Sequence, residues 1–456
     1  DLWVTHNADG SSNPMQDRLL RGDGTGSFVD VTAEMGMVTR PWNLISDLNE
    51  GLAHSWGWSA LACDLNNDGI PELMASSYGR APNHLWRGDD SGGDLMYLNE
   101  SVDSGYAFDH RDDWTQDLNA QCYCEDNPTA EDCDLAPTPE DYTLCEQLYA
   151  GFGGMYRWDH TYGREPFRLG GNSGATTCAD IDNDGYMDLL TGEIVHFDVG
   201  PPSDPAEIMH NMGDPLVRFE RPGNDVTGLL RVHLLEDWND GDMTNAVFDF
   251  DNDGWQDVYI GDSDYPDSKG LLFHQDAPMV FTRLESSEYF DHHRAHGVAV
   301  ADFDRDGDLD VVVGHSLMRC DTPIMPWECR DTPQIRMFEN LMGEGSNWVQ
   351  IHLVGAEGSN RSAIGARVGV TAGDVTQTQQ VDGLQRTLSA VVPLPEEPVG
   401  VGATWTVIDR QASGGLDLTV VRTYELLERH GDQLVLSMAI TLDAPPARVS
   451  LPAFEG

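Results

Sequence analysis

Asp249–Asp257 reads DFDNDGWQD and runs directly into the strand-like segment VYIGDS. Short acids stand at its first, third, fifth and ninth positions, with Gly254 at the sixth. Acids on alternate residues turn their oxygens inward when a loop wraps tightly, and glycine supplies the turn that a Cβ would obstruct. Such a loop suits a hard cation with oxygen ligands. The same spacing recurs in Asp64–Glu72 (DLNNDGIPE), Asp180–Asp188 (DIDNDGYMD) and Asp302–Asp310 (DFDRDGDLD), each time ahead of an apolar run. A motif repeated in this way describes an array of one supersecondary unit.

The flanks carry the next inference. GVAVADFD leads into the last loop and LDVVVG leads out of it, and both alternate apolar with polar residues. Period two predicts half-buried strands, so each loop joins two antiparallel strands. Turn-rich stretches such as LLRGDGTGSFVDVT (19–32) read as hairpins. An EF-hand is excluded on two counts. Its twelfth position needs a bidentate Glu, where this chain has Ala75, Thr191, Ile260 and Val313, and its flanks must be helices. The opening DLWVTHN matches DVYIGDS (257–263) and DVVVGHS (310–316). Asp1 therefore reads as the ninth position of a fifth repeat. LWVTHN is then a strand without its hairpin partner, to be completed by QIRMFEN (334–340) or by another protomer.

The chain has 456 residues and a formal charge of −52, from 78 acids against 26 bases. A polyanion such as nucleic acid would be repelled, as would an anionic lipid surface. Hydrophobic residues at 40% and aromatics at 9% fit a folded chain. Many oxygen ligands point to a calcium-rich setting outside the cytosol. No apolar run is long enough for a membrane span. Eight cysteines form no C-x-x-C pair, and an even number fits an oxidising compartment. Cys320 and Cys329 bracket a short loop and read as a local staple. Cys122, Cys124, Cys133 and Cys145 share an insertion (about 103–150) and can form two more bridges. Cys63 and Cys178 stand at nearly the same place in two repeats, as a bridge or as two buried thiols. The insertion has room for a degenerate repeat, and its Cys spacing fits no usual zinc knuckle.

From about Asn347 the acidic loops stop, and alternating segments such as NWVQIHLVG and ARVGVTAG follow. A Pro-rich stretch (391–402) precedes a last β-rich segment. The expected layout is a repeat domain over 1–342, a β module over 347–390 and a β-rich segment over 394–456. The four loops resemble the FG-GAP/VCBS repeats of integrin-α-type β-propellers. NWVQIHLVGAEGSNRSAIGARVGVTAGDVTQTQQVDG (347–383) resembles the ASPIC/UnbV module, and the two together resemble the extracellular proteins related to cartilage acidic protein. The fold so implied is all-β: a calcium-loop propeller, of seven blades at about 49 residues each, followed by one or two small β-sandwich-like modules. The resemblance also implies about four Ca²⁺ sites. Side-chain ligands would be Asp64, Asn66, Asp68 and Glu72; Asp180, Asp182, Asp184 and Asp188; Asp249, Asp251, Asp253 and Asp257; and Asp302, Asp304, Asp306 and Asp310. Carbonyls of Ile70, Tyr186, Trp255 and Asp308 would complete them. The first loop carries three charges and the others four, so it should bind most weakly.

The function implied is a calcium-stabilised binding, adhesion or surface-assembly protein, secreted, cell-surface or periplasmic, without catalysis. Its partner would be a protein or glycan of the surface or matrix, or another copy of itself. Two other functions compete: a carbohydrate-active enzyme of polysaccharide-lyase type, and a filament subunit closed by strand exchange. For the enzyme, Trp56, Trp58, Trp114, Tyr156 and Trp158 can stack on sugars, and His160 or Tyr162 can serve as acid or base. No G-x-S-x-G, H-E-x-x-H or phosphate loop supports it. Three smaller signals complete the reading: the DHHRAH cluster with Asp291, His292, His293 and His296; the tripeptide Arg21-Gly22-Asp23; and sequons at Asn99 and Asn360.

Overall fold

A computed structural model of the chain describes residues 1–9, 13–109, 111–231, 233, 238–263, 265, 269–285, 290–316, 335–342, 351–352, 364–372, 375–381, 389–390, 404–413, 416–430 and 433–443. The chain divides into two compact units, Asp1–Trp348 with Arg367–Arg386, and Val349–Ala366 with Thr387–Gly456. The stretch 347–390, expected as one module, is thus shared between them. The Cys320–Cys329 staple and Asn360 lie outside the described residues.

The first unit is built of antiparallel meanders. The strands are β1 (Leu2–Val4), β2 (Arg18–Gly22) and β3 (Phe28–Asp30); β4 (Gly57–Cys63), β5 (Glu72–Ser77), β6 (His84–Asp89) and β7 (Met96–Asn99); β8 (Ser173–Ala179), β9 (Asp188–His196), β10 (Glu207–Asn211) and β11 (Phe219–Glu220); β12 (Asn239–Phe248), β13 (Asp257–Asp262), β14 (Leu271–Ala277) and β15 (Val280–Leu284); and β16 (Ala295–Ala301), β17 (Asp310–His315) and β18 (Ile335–Phe338). Each acidic loop joins the first strand of a meander to the second, as the flanking periodicity predicts. The fold is all-β, of propeller type. Five blade units lie among the described residues, beside the seven that the resemblance implies. The long first interval is spent on a helical insertion and holds no further blade among the described residues.

Two expectations about strands need correction. Among the described residues β1 pairs with β2, Leu2 opposite Leu20, as a second strand pairs with a third in the other meanders. QIRMFEN instead supplies β18, the third strand of the last meander, with Phe338 opposite Val311. The second strands are also more buried than period two suggests, since every residue of β5 and β13 is buried. Packing explains this. Leu73 faces Leu19, Val31 and Trp86 on one side, while its neighbour Met74 faces Leu61, Leu189 and Met209 on the other. Leu189 belongs with Met74, whereas Leu190 packs with Val247, Val258 and Phe273 of the next meander. Successive side chains of a strand point to opposite faces. Here each face meets a different blade, so both must be apolar.

Between β7 and β8 the chain forms helices α1 (Leu118–Asp126), α2 (Tyr142–Gly151) and α3 (Pro166–Leu169). Asp117 caps α1 by accepting from Ala120 N at 3.2 Å, and Asp141 caps α2 by accepting from Thr143 N at 2.8 Å. Disulfides Cys122–Cys145 and Cys124–Cys133 hold this insertion, and Cys63–Cys178 ties β4 to β8. Beyond β18 come β19 (Ile351–His352), β20 (Arg367–Ala372), β21 (Val375–Gln380), β22 (Ser389–Ala390), β23 (Thr404–Ser413), β24 (Leu416–His430) and β25 (Gln433–Asp443). The β20–β21 hairpin belongs to the first unit. In the second, β19 pairs with β22, and β23–β25 form an antiparallel sheet.

Candidate metal centre

Each acidic loop is folded by its own carboxylates. The first-position acid accepts the glycine N–H in three loops: Gly69 to Asp64 at 3.0 Å, Gly185 to Asp180 at 3.1 Å and Gly254 to Asp249 at 2.9 Å. Third-position oxygens accept the fifth-position N–H in all four loops, Asn66 in the first and Asp182, Asp251 and Asp304 in the others. Fifth-position carboxylates accept the seventh-position N–H, from Ile70, Tyr186, Trp255 and Asp308 to Asp68, Asp184, Asp253 and Asp306. The glycines stand at φ between +87° and +102°, where a Cβ is strained.

The ninth-position acid ties the loop to the blade. One oxygen accepts the second-position N–H: Leu65 to Glu72, Ile181 to Asp188, Phe250 to Asp257 and Phe303 to Asp310. The other accepts from the third strand in three blades, from Asn211, Gln275 and Asn340, each at 2.8 Å. Asp1 makes the same bond with Gly22 N at 2.9 Å, so it stands where the sequence comparison puts it.

The geometry brings together expected ligands of the second and third loops. Carboxylate oxygens of Asp180, Asp182 and Asp188 lie within 4.8 Å of one another, as do those of Asp249, Asp251 and Asp257. Glu72, Asp188 and Asp257 are wholly buried. Burial lifts Glu72 and Asp257 to about 8 and Asp249 and Asp180 to about 6, and it raises Asp188 and Asp64 as well. A buried carboxylate stays ionised only beside a cation or several donors. Glu72 Oε1 and both carboxylate oxygens of Asp308 are buried without a hydrogen-bond partner among the described residues. Orphaned acceptors of this kind fit a bound cation. The Asp308 carboxyl, lifted to about 7 by burial, was expected to contribute only its carbonyl. The fourth loop is the most open, with Asp304 and Asp306 exposed.

Sequence reasoning missed two histidines. His210 Nε2 lies 3.2 Å from Asp182, and His274 Nε2 lies 3.3 Å from Asp251 and 3.5 Å from Asp253. Both follow the residue paired with the strand's second position, Met209 opposite Leu189 and Phe273 opposite Val258. The adjoining residue stitches blades together. Asn211 donates to Leu65 O and Met187 O, Gln275 to Ile181 O and Gln256 O, and Asn340 to Phe250 O and Leu309 O. Each thus bonds its own loop and the previous one. Fourth-position asparagines add a second series, from Asn67 to Gly185 O, Asn183 to Gly254 O and Asn252 to Gly307 O. The β20–β21 hairpin touches three first-position acids. Gln380 Oε1 accepts from Asp64 N, Thr378 bonds Asp180, and Gln377 donates to Asp249 Oδ2 at 2.9 Å.

The other candidates fall differently. His292 is buried against Tyr259, Phe290 and Phe338, with its pKa pushed down to about 3 by desolvation, while Asp291 pairs with Lys269 at the surface. The DHHRAH signal is thus split between core and surface. Arg21 pairs with Glu34, and Asp23 caps its own turn through Thr25. Asn99 donates to Gly51 O. Cys124 and Cys133 lie near His160, but their disulfide removes the thiolates that zinc would need. His160 has one ring nitrogen bonded by Trp158 Nε1 and the other at Glu131 O. Tyr162 is exposed and edge-on to Trp42. No helix among the described residues is long and apolar enough to cross a membrane.

The profile of the FG-GAP-like repeat family matches residues 249–313, which span the third and fourth loops and strands β13–β16. Repeats of this family are commonly extracellular binding and adhesion modules, and the disulfides accord with such a setting. No curated protein matches the chain.

Proposed function

We propose that the chain is an extracellular, calcium-stabilised binding module without catalytic activity, recognising a protein or glycan of a surface or matrix. The observation that carries this reading is the convergence of carboxylates at the loops, above all buried Asp180 and Asp188 with half-buried Asp182, and buried Asp249 and Asp257 with half-buried Asp251. Carboxylates at first, third, fifth and ninth positions would hold Ca²⁺, with the seventh-position carbonyls; the hard ion prefers six to eight oxygens. Calcium would supply charge neutralisation and loop closure, not chemistry. The segment SNRSAIGARV (359–368) supports kinship with ASPIC/UnbV modules and with cartilage acidic protein-like proteins. The bonds that occupy both nitrogens of His160 favour binding over acid–base catalysis.

The test is a thermal melt with elemental analysis. Purified protein should carry calcium, EGTA should lower the melting temperature, and added Ca²⁺ should restore it. An identical melt in chelator, from protein without metal, would refute the proposal.

A further inference from the structure

Away from the loops, where the helical insertion meets β5 and β8, lies an open cleft of about 440 Å³. That volume suits a small ligand or one unit of a larger one. In a chain with only 26 bases, three arginines line it: Arg80, Arg157 and Arg168. Its remaining lining includes Tyr78, Tyr156, the largely buried Trp158 and Asp159.

Arg80 is held from both sides. Its N–H donates to Gly171 O at 2.7 Å, its carbonyl accepts from Arg168 Nη1 at 3.5 Å, and its φ of 59° is left-handed. Its Nε and Nη2 are buried and have no hydrogen-bond partner among the described residues. Those two nitrogens form one edge of the guanidinium fork, which matches two oxygens of one anionic group. Leaving them unmatched is costly in a buried place. The nearby acids do not supply the match. Asp198 accepts from Asn119 at 2.8 Å and lies 3.9 Å from Arg157, while Asp159 accepts the N–H of Thr161 at 2.9 Å. Asp117 caps α1 through Oδ1, while its buried Oδ2 also lacks a hydrogen-bond partner among the described residues and its charge acts on Arg80. The aromatic walls are rigid: Trp158 stacks on Trp114 at 5.8 Å, Tyr78 lies against Trp58 at 5.2 Å, and Tyr156 donates to Asp126 at 2.8 Å. A flat wall beside an arginine fork selects a ring that carries an oxyanion.

We infer that this cleft binds an acidic sugar ring of a polysaccharide, with its carboxylate or sulfate on the Nε–Nη2 edge of Arg80 and the ring against Tyr156 and Trp158. Arg157 and Arg168 supply the local field that admits an anion to a chain of charge −52. This inference rests on the binding-module reading and names its ligand class.

The experiment is calorimetric titration of the full chain in calcium and physiological salt, with oligouronates, sulfated oligosaccharides and neutral oligosaccharides of equal length. Acidic oligomers should bind and neutral ones should not; the stronger acid series identifies the oxyanion. Arg80→Lys, which keeps the charge and loses the fork, should weaken binding about 10- to 100-fold. Arg168→Gln, at the rim, should weaken it less and guards against misfolding of the first variant. Equal binding of neutral oligomers, no binding of acidic ones, or unchanged affinity in both variants would overturn the inference. The calcium-dependent melt reports separately on the binding-module reading, and product analysis would reveal any cleavage.

Discussion

At the scale of single residues, the stitching amides deserve most weight. Gln275 is fully buried and donates to two carbonyls, one in its own loop and one in the loop before it. Gln275→Ala would strand both acceptors, each worth about 1–3 kcal/mol when left unpaired. Urea denaturation in saturating calcium should show a loss of about 2–4 kcal/mol; a loss below the measurement error would mean that these bonds contribute nothing net. Sequence reading could place the acidic loops but not these amides. Their distances from the ninth-position acid vary, at 23 residues for Asn211, 18 for Gln275 and 30 for Asn340. A fixed-spacing motif therefore cannot find them, nor His210 and His274 beside them. Asp1 was legible because it directly precedes its strand.

At the scale of elements, strands were legible and helices were not. Loop-plus-strand units announce themselves by period two around a glycine-bearing acidic loop. The insertion does not, because α1 has almost no apolar face: Cys122 and Cys124 lie two residues apart and are both buried. The signals present were Asp117 and Asp141 at the caps, and they are weak in a chain so rich in Asp. The equivalence of Cys63 and Cys178 left a bridge and two buried thiols open; the bridge forms, and it fastens one blade to the next across a separation of 115 residues. Cross-linking so distant a pair restricts the unfolded chain by about 4–5 kcal/mol in the loop-entropy account. The double variant Cys63→Ala, Cys178→Ala should melt several degrees lower in calorimetry while the insertion keeps its own two bridges. An unchanged melting temperature would show the bridge to be thermodynamically idle.

For the whole molecule, acid burial sets the pH response. Glu193 is buried, accepts from Ser173 Oγ at 2.6 Å, and has its pKa raised from 4.5 to about 8 by desolvation. The folded chain then keeps a proton that the unfolded chain releases. Stability contributed by this group is fully present below pH 4.5 and is lost as pH rises towards 8. Glu193→Gln preserves the shape and should flatten the fall of melting temperature between pH 5 and 8; an unaltered slope would place the response elsewhere. The clustering of Arg80, Arg157 and Arg168 is also a property of the whole molecule. It is created by the way the insertion folds back, and nothing in their separate neighbourhoods announces it.

The inner strands carry a last consequence. Leu189 faces the preceding blade and Leu190 the following one. Odd and even residues of β9 therefore answer to different neighbours, so parity along the strand is itself information. Deleting one residue there would exchange the two sets and corrupt two interfaces at once, whereas deleting two would shift each set within its own interface. Swapping a whole meander would likewise fail unless its flanking faces came with it. The unit that duplication must copy is the seam between blades.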